Sequence, residues 1–334
     1  MKKIFKLVIL LPLFVSCSGH GQESTNPLID SGRGVDHLGI LVKDLEITCR
    51  DYEQILGFRC IKNPTGNYTG ALRSLIVFDD ETLLEFLSPP KTDSVMNSEY
   101  LSYMRDFLSK HEGAMSLALE TSSAKDAAEY LREKDFEVRF TEWPKDTEEN
   151  VPRKTPVQYT SVSISDAPSV NKKAFKLWIW FVEYAQDRSE RLAVRREQGM
   201  MDHPNTAQRL HSVWFAVQDV DAVLRNLQDA GFEKGKACNM KLLDAVGREI
   251  PAGKGSLLIL QSAKKDGALK KFLSNHEDGD IVGISIRVTD LNKAQFWIEA
   301  NSGNKFEPYD GLFGRSILIP PELTHGVWME LFQQ

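Results

Sequence analysis

The chain has 334 residues and a formal net charge of −6, from 41 Lys and Arg against 47 Asp and Glu. This length predicts about two domains, and its ordinary fractions of hydrophobic (42%) and charged (26%) residues exclude bulk disorder and a collagen-like structure. The acidic balance argues against nucleic acid as a partner, and four cysteines are too few for a disulfide scaffold.

The N-terminus is typical of an export signal. Three lysines precede an apolar run over residues 7–15, which is shorter than the roughly 20 residues of a membrane-spanning helix. Residues 13–17, Leu-Phe-Val-Ser-Cys, resemble the lipobox of bacterial lipoproteins, in which the cysteine becomes the lipid-bearing first residue. We therefore expect a signal peptide over 1–16, then a lipidated Cys17 and a polar tether over 17–33. The alternative is cleavage by the ordinary signal peptidase, with Cys17 incidental.

A lipid-anchored exported chain belongs in the bacterial cell envelope, on the outer membrane or facing the periplasm, with the membrane as a partner through Cys17. This compartment is oxidising, which permits disulfides. For the remaining cysteines, Cys49, Cys60 and Cys238, two alternatives stay open. One is a Cys49–Cys60 disulfide, and the other is that the cysteines are buried, unreactive thiols.

A strand–helix–strand–strand pattern repeats through the rest of the chain. In the first copy an alternating strand starts at Gly34, and Asp44 caps the helix that follows. Gly57 ends this helix, and strands near 71–78 and 82–88 close a βαββ unit. The same order recurs from residues near 114, 211 and 282.

Four βαββ units predict an α+β protein with two domains of two units each. We place the first domain at 34–187 and the second at 209–334, joined by a charged connector over 188–208 that contains His203. Because both domains lie in one chain, a monomer is a reasonable expectation.

Several segments resemble the vicinal oxygen chelate (glyoxalase-like) superfamily. The segments that carry the likeness are Asp36-His37-Leu38-Gly39-Ile40 with Asp44, Leu84 to Pro89, His203-Pro204-Asn205 and His325 to Leu331. The resemblance covers residues 34–333. It implies that each pair of units forms a cupped mixed sheet with the helices outside.

The resemblance also implies metal ligands at one position on the first strand and one on the last strand of each unit. The first-strand position lies seven residues before the helix cap, which gives His37, Ser116, Ser212 and Gly283. The last-strand positions are read as Glu85, Glu183, Ile259 and Glu330.

The first domain is thereby expected to hold a divalent Fe, Mn, Ni, Co or Zn ion on His37, Glu85 and Glu183. Glu85 and Glu183 are also the candidate catalytic bases. Because Ser116 replaces the fourth ligand, the absence of any metal is the alternative.

Substrate contacts are assigned to Ser116, Trp180, His325 and Glu330. The alternative roles are core packing for Trp180 and a fold-closing strand end for His325 and Glu330.

Two functions follow from the resemblance. The first is a metal-dependent lyase, isomerase or dioxygenase acting on a small oxygenated substrate, with the ion as Lewis acid. The second is a metal-free protein that binds or sequesters a small molecule without chemistry. The sequence contains no Walker loop, GxSxG elbow or HExxH motif.

Overall fold

The computed structural model describes six stretches of the chain, namely residues 28–29, 34–62, 71–90, 98–142, 159–185 and 188–334. The expected signal peptide and Cys17 lie outside these residues. Within the expected tether, Leu28 and Ile29 are buried in the main core, so at these two residues the chain is packed rather than free. None of the described helices is long and apolar enough to cross a bilayer.

The first two units occupy the first domain. Unit one consists of β1 (Gly34–Leu41), α1 (Leu45–Gln54), β2 (Ile61–Lys62), β3 (Leu72–Val77) and β4 (Leu83–Ser88). A linking helix, α2 (Ser98–Lys110), leads to unit two, which consists of β5 (Gly113–Glu120), α3 (Ala124–Glu133), β6 (Val138–Glu142), β7 (Tyr159–Ile164) and β8 (Ile179–Tyr184).

The connector contains α4 (Arg188–Glu197) and leads into the second domain. Unit three consists of β9 (Ala207–Ala216), α5 (Val220–Asp229), β10 (Lys236–Met240), β11 (Ala245–Ala252) and β12 (Gly255–Ser262). After α6 (Ala268–Phe272), unit four consists of β13 (Ile281–Val288), α7 (Leu291–Ser302), β14 (Tyr309–Asp310), β15 (Arg315–Ile319) and β16 (Trp328–Gln333). Each unit thus has three strands after its helix, one more than the βαββ pattern. In units one and four the additional strands, β2 and β14, have only two residues and are too short to show periodicity.

The unit helices begin at side-chain caps. Each cap residue has an extended backbone, and its side chain accepts a backbone N–H from the first helical turn, which satisfies a donor that lacks an intrahelical partner. The caps are Asp44, Ser123, Asp219 and Asp290.

The strands form one open mixed sheet, and the predicted α+β fold is confirmed. Within a unit the first strand pairs in parallel with the last, as in β1 with β4. The two units of a domain meet through antiparallel first strands, β1 with β5 and β9 with β13. The domains join where Ala114 of β5 pairs with Ile281 of β13.

The two faces of the first-domain sheet are packed differently. One face buries residues such as Leu38, Ile40 and Phe86 against Tyr52 of α1 in the main core. We call the opposite face, which carries His37, the inner face. Smaller apolar clusters cover its two ends, one including Met104 of α2 and one including Leu192 of α4.

Candidate functional site

His37 lies on the inner face with its ring held by an acidic neighbour. The pairing of β1 with β5 shifts register between Val35 and His37, a bulge that brings Asp36 and His37 to the same side. The Asp36 carboxylate is 2.6 Å from His37 Nδ1 and also accepts the Tyr184 hydroxyl at 2.7 Å. These contacts orient the ring so that Nε2 faces the neighbouring strand.

Glu85 faces His37 from β4. Its Oε2 is 3.8 Å from His37 Nε2, and its Oε1 accepts a hydrogen bond from Arg73 on β3 at 3.1 Å. Glu85 pairs with Gly39, which has no side chain to fill the space between the strands. The side chains of His37, Glu85 and Arg73 are 11%, 17% and 22% exposed, so solvent reaches all three.

The charges around His37 favour its protonated form. Burial is the largest influence and lowers the pKa, but the hydrogen bond and charge of Asp36, together with the charge of Glu85, raise the pKa above 6.5 overall.

The structure does not bring Glu183 to His37 and Glu85. In unit one, Glu85 pairs with Gly39, which lies two residues after His37. The equivalent residue in unit two is Ala118, two residues after Ser116, and it pairs with Trp180. Trp180 therefore occupies the position that the sequence reading gave to Glu183. The Glu183 carboxylate instead accepts the N–H of Ala124 at the start of α3, at 2.8 Å.

Ser116 and Trp180 do lie on the inner face. A Cβ added to Gly39 would be 3.0 Å from Ser116 Oγ, and the Trp180 ring meets His37 edge-on at 5.2 Å. Tyr159 lies beside Trp180, with ring centroids 6.3 Å apart. The inner face thus has a polar part at His37 and an aromatic part at Trp180.

The register of the second domain also corrects one expected position. Trp214, two residues after Ser212, pairs with Leu258, so Leu258 rather than Ile259 stands at the last-strand position. In unit four Ser285 pairs with Glu330, which is the position predicted.

Glu330 is fully buried and hydrogen-bonded within the protein. It accepts hydrogen bonds from Ser285 and Tyr309, each at 2.7 Å, and burial raises the pKa of its carboxyl. Trp214 fills the space above Gly283, where a Cβ would lie 2.2 Å from the indole ring. The inner face of the second domain is therefore occupied by its own side chains at this position.

His325 does not contribute to the polar cluster around Glu330. It contacts the first domain, where its Nε2 is 3.2 Å from Asp51 and its Nδ1 is 3.2 Å from Glu112. Burial, the largest influence, lowers the pKa of His325, but the two carboxylates raise it overall. This geometry is that of a contact between domains.

The structure defines the contacts of His203 in the connector and the state of Cys49, Cys60 and Cys238. His203 accepts the Arg59 N–H through Nδ1 and donates to the Val77 carbonyl through Nε2, both at 3.0 Å, so it fixes the turn against the first domain. Cys49 and Cys60 form a disulfide, and Cys238 is a free buried thiol.

Sequence reasoning missed Asp36, Arg73 and Tyr184 as parts of the site. Asp36 directly precedes His37, so strict alternation would place its side chain on the opposite face of the sheet. The bulge in β1 places the Asp36 side chain on the same face as His37. Arg73 could have been found from the antiparallel pairing of β3 with β4, which places it on the face of Glu85.

The four units pair two by two, as the resemblance to glyoxalase-like proteins implies. A family model described as a glyoxalase-like domain matches residues 35–231, more than half of the chain. The chain therefore belongs to the glyoxalase-like domain family. A comparison with curated protein sequences found no match.

Two solved structures resemble nearly the whole chain. A hypothetical protein from Staphylococcus aureus has 12% identity and a TM-score of 0.53, covering 90% of this chain and 99% of its own. A mutant of 4-hydroxymandelate synthase from Streptomyces coelicolor has 11% identity and a TM-score of 0.57, covering 90% of this chain and 93% of its own. At these identities the similarity establishes the fold.

Proposed function

We propose that the first domain binds a small, oxygen-bearing aromatic compound on its inner face, in an exported, lipid-anchored envelope protein. The observation that carries the proposal is the meeting of His37, Glu85 and Arg73 with Trp180 on a partly exposed face. This combination of groups supports the proposal, because ligand sites combine apolar walls with a few convergent polar groups.

The two parts of the face suit the two parts of such a ligand. The His37 ring and the Arg73 guanidinium can donate hydrogen bonds to hydroxyl or carboxylate oxygens, and Glu85 can accept one. The rings of Trp180 and Tyr159 offer flat apolar surface for an aromatic group. Since Trp214 fills the equivalent space in the second domain, we propose one such site among the described residues.

The donor set favours metal-free binding over the three-ligand metal site expected from the sequence. His37 and Glu85 are ligand types, but Ser116 and Trp180 stand at the matching positions of unit two. The Arg73 cation already pairs with Glu85, and it would compete with a metal for the carboxylate. Glu183 lies on the other face, and the Asp36 carboxylate is engaged by His37 Nδ1 and the Tyr184 hydroxyl. The described residues of this face therefore do not supply the third ligand of the expected centre.

One observation favours a second candidate, the metal-dependent lyase, isomerase or dioxygenase. Asp36 holds Nδ1 of His37 and leaves Nε2 facing Glu85, which is the arrangement that carboxylates impose on metal-bound histidines.

Binding can be tested by calorimetry of the purified protein against phenols, catechols and aromatic hydroxy acids. We expect His37→Gln and Trp180→Ala each to weaken binding by about tenfold or more, since each removes one part of the site. The control is Phe296→Ala, a 76% exposed residue on α7, which should leave affinity unchanged. Absence of binding across the panel, or equal affinity in Trp180→Ala, would overturn the proposal.

The second candidate is tested by metal analysis of the wild type and His37→Ala after growth in Fe, Mn, Ni, Co and Zn supplements. A stoichiometric ion that His37→Ala loses would favour metal-dependent chemistry at this face. Metal content that His37→Ala leaves unchanged counts against that candidate.

Export and anchoring through Cys17 are proposed from the N-terminal sequence. Radiolabelled palmitate should enter the wild-type protein and not Cys17→Ala, and the label should follow the membrane fraction. Equal labelling of both proteins, or of neither, would contradict the anchor. We further propose a monomer without nucleic-acid partners, which analytical ultracentrifugation and a nucleic-acid binding assay would check.

A further inference from the structure

We propose that His111, His276 and Asp280 form a divalent metal site at the junction of the two domains, separate from the inner face of the first domain. One ligand atom from each residue lies within 4.8 Å of the others. His111 comes from the first domain and directly follows α2. His276 and Asp280 come from the segment before β13 in the second domain.

In both histidines of the site, Nε2 is the nitrogen available to bind a metal ion. His111 Nδ1 lies 3.0 Å from the Glu112 carbonyl, and His276 Nδ1 lies 3.0 Å from the Phe272 carbonyl. A carbonyl only accepts, so each Nδ1 carries the proton, and in the neutral ring Nε2 keeps its lone pair. Outer contacts of this kind fix the tautomer and orientation of metal-binding histidines.

The carboxylate is held in a similar way. Asp280 Oδ2 accepts the Glu277 N–H at 2.8 Å and lies 4.0 Å from His111 Nε2. Tetrahedral Zn²⁺ with ligand distances of about 2.0–2.2 Å needs ligand atoms roughly 3.3–3.6 Å apart. These atoms lie within 4.8 Å of one another, so binding an ion requires them to approach by up to roughly 1 Å.

The surroundings position the rings and leave access to solvent. The His111 and His276 rings stack with centroids 4.1 Å apart, and Phe107 and Phe272 pack against them at 4.5 Å and 4.3 Å. His111 and Asp280 side chains are 15% and 24% exposed, so an ion can enter and water can supply a fourth ligand.

The donor set indicates the class of ion. Two imidazoles and one carboxylate suit Zn²⁺ and other first-row transition ions better than Mg²⁺ or Ca²⁺, which favour oxygen ligands. Because the ligands come from both domains, the bound ion would tie the domains together next to the pairing of Ala114 with Ile281.

Chelator-treated full-length protein titrated with Zn²⁺ against a chromophoric indicator tests the site, and Co²⁺ absorption gives a second readout. We expect one ion per chain, a Co²⁺ spectrum typical of nitrogen and oxygen ligands, and a higher melting temperature with Zn²⁺. Since His276→Ala removes a direct ligand, affinity should fall by more than the roughly 10–100-fold that loss of an outer partner costs. Asp280→Asn keeps the side-chain size and should also weaken binding if His276→Ala does not fold.

His211→Ala is the matched control, because His211 is also a half-buried histidine of the second domain that packs on a phenylalanine, Phe313, at 4.4 Å. It should bind Zn²⁺ as tightly as the wild type. Stoichiometric binding that a folded His276→Ala or Asp280→Asn retains, or that His37→Ala abolishes, would overturn the proposal. So would the absence of Zn²⁺ binding in the wild type, which would leave the stacked rings as packing alone.

Discussion

Glu85 and Glu183 lie on opposite faces of the sheet and have different roles, although the sequence predicts both as metal ligands. Glu85 faces His37, whereas Glu183 lies on the other side of the sheet and binds the N-terminus of α3. A carboxylate at a helix N-terminus satisfies a free N–H and interacts favourably with the helix dipole. Glu183 therefore has a structural explanation that does not involve the inner face.

The variants Glu85→Gln and Glu183→Gln form a matched pair. We expect Glu85→Gln to change ligand affinity with little loss of stability, because Glu85 is partly exposed and sits in the proposed site. Glu183→Gln should leave affinity unchanged and lower the free energy of unfolding by about 0.5–1 kcal/mol. Calorimetry and urea denaturation would check both. Loss of ligand affinity in Glu183→Gln would show that the assignment of faces is wrong.

We expect the free energy of unfolding to depend on pH through His203. Burial lowers its pKa to about 4 in the folded protein, while the unfolded chain keeps a pKa of about 6.5. Between these values the unfolded state binds the extra proton, so stability falls as the pH drops from 6.5 towards 4. One such group contributes a slope of about 1.4 kcal/mol per pH unit.

The variant His203→Gln should lose this part of the slope while being less stable at pH 7, where it lacks the imidazole contacts. Urea denaturation from pH 4 to pH 8 measures both effects. Parallel stability curves for the wild type and His203→Gln would contradict the prediction.

At the scale of elements, the helix caps set where each unit turns. Asp219 Oδ1 accepts the Ala222 N–H at 3.0 Å, and Asp44 and Asp290 cap α1 and α7 similarly. These caps fix the distance from the first strand to its helix, which is why counting back seven residues finds equivalent strand positions.

Asp219→Ala should lower the free energy of unfolding by about 1 kcal/mol, because it leaves a helix N–H without its partner. Asp221→Ala removes an acidic residue in the same turn that is not the cap, and it should cost only a few tenths of a kcal/mol. Urea denaturation at an unchanged slope would measure both. Equal losses would mean that charge, rather than the cap hydrogen bond, matters at this helix.

At the scale of the molecule, the junction between domains combines close packing with polar contacts. The Tyr52 hydroxyl donates to the Thr324 carbonyl at 2.9 Å, and His325 lies between Asp51 and Glu112. A Cβ on Gly326 would lie 2.0 Å from the Glu112 carbonyl oxygen. These contacts join the first domain to the turn before β16 in the second.

His325→Asn should destabilise the protein by about 1–3 kcal/mol, because two partly buried carboxylates lose their hydrogen bonds to the imidazole. Asparagine tolerates the positive φ of 57° at this position, so backbone strain does not confuse the result. Scanning calorimetry should show a melting temperature lower by a few degrees. Lys110→Ala, which breaks the exposed pair with Glu277 across the same junction, should lower the melting temperature by less than His325→Asn does, because water screens an exposed ion pair. Equal effects would contradict the assigned role of His325.

Much of the fold could be predicted from the sequence, but less of the site. The alternation around His37, the cap at Asp44 and their recurrence gave the units, the α+β class and the positions of His37, Glu85 and Glu330. Glu183 is not at the position predicted, because the parallel register of β5 and β8 places Trp180 opposite Ala118, and local patterns in the sequence do not encode the pairing of distant strands. The bulge that turns Asp36 towards His37 leaves no clear trace in the sequence.

The sequence by itself determined the repeated units and their helix starts, since periodicity and capping act between residues close in the chain. Only the tertiary structure decided which face each carboxylate occupies, because face depends on bulges and on pairing with distant strands. The grouping of His111 with His276 and Asp280 is also tertiary, because it exists only where β5 meets β13.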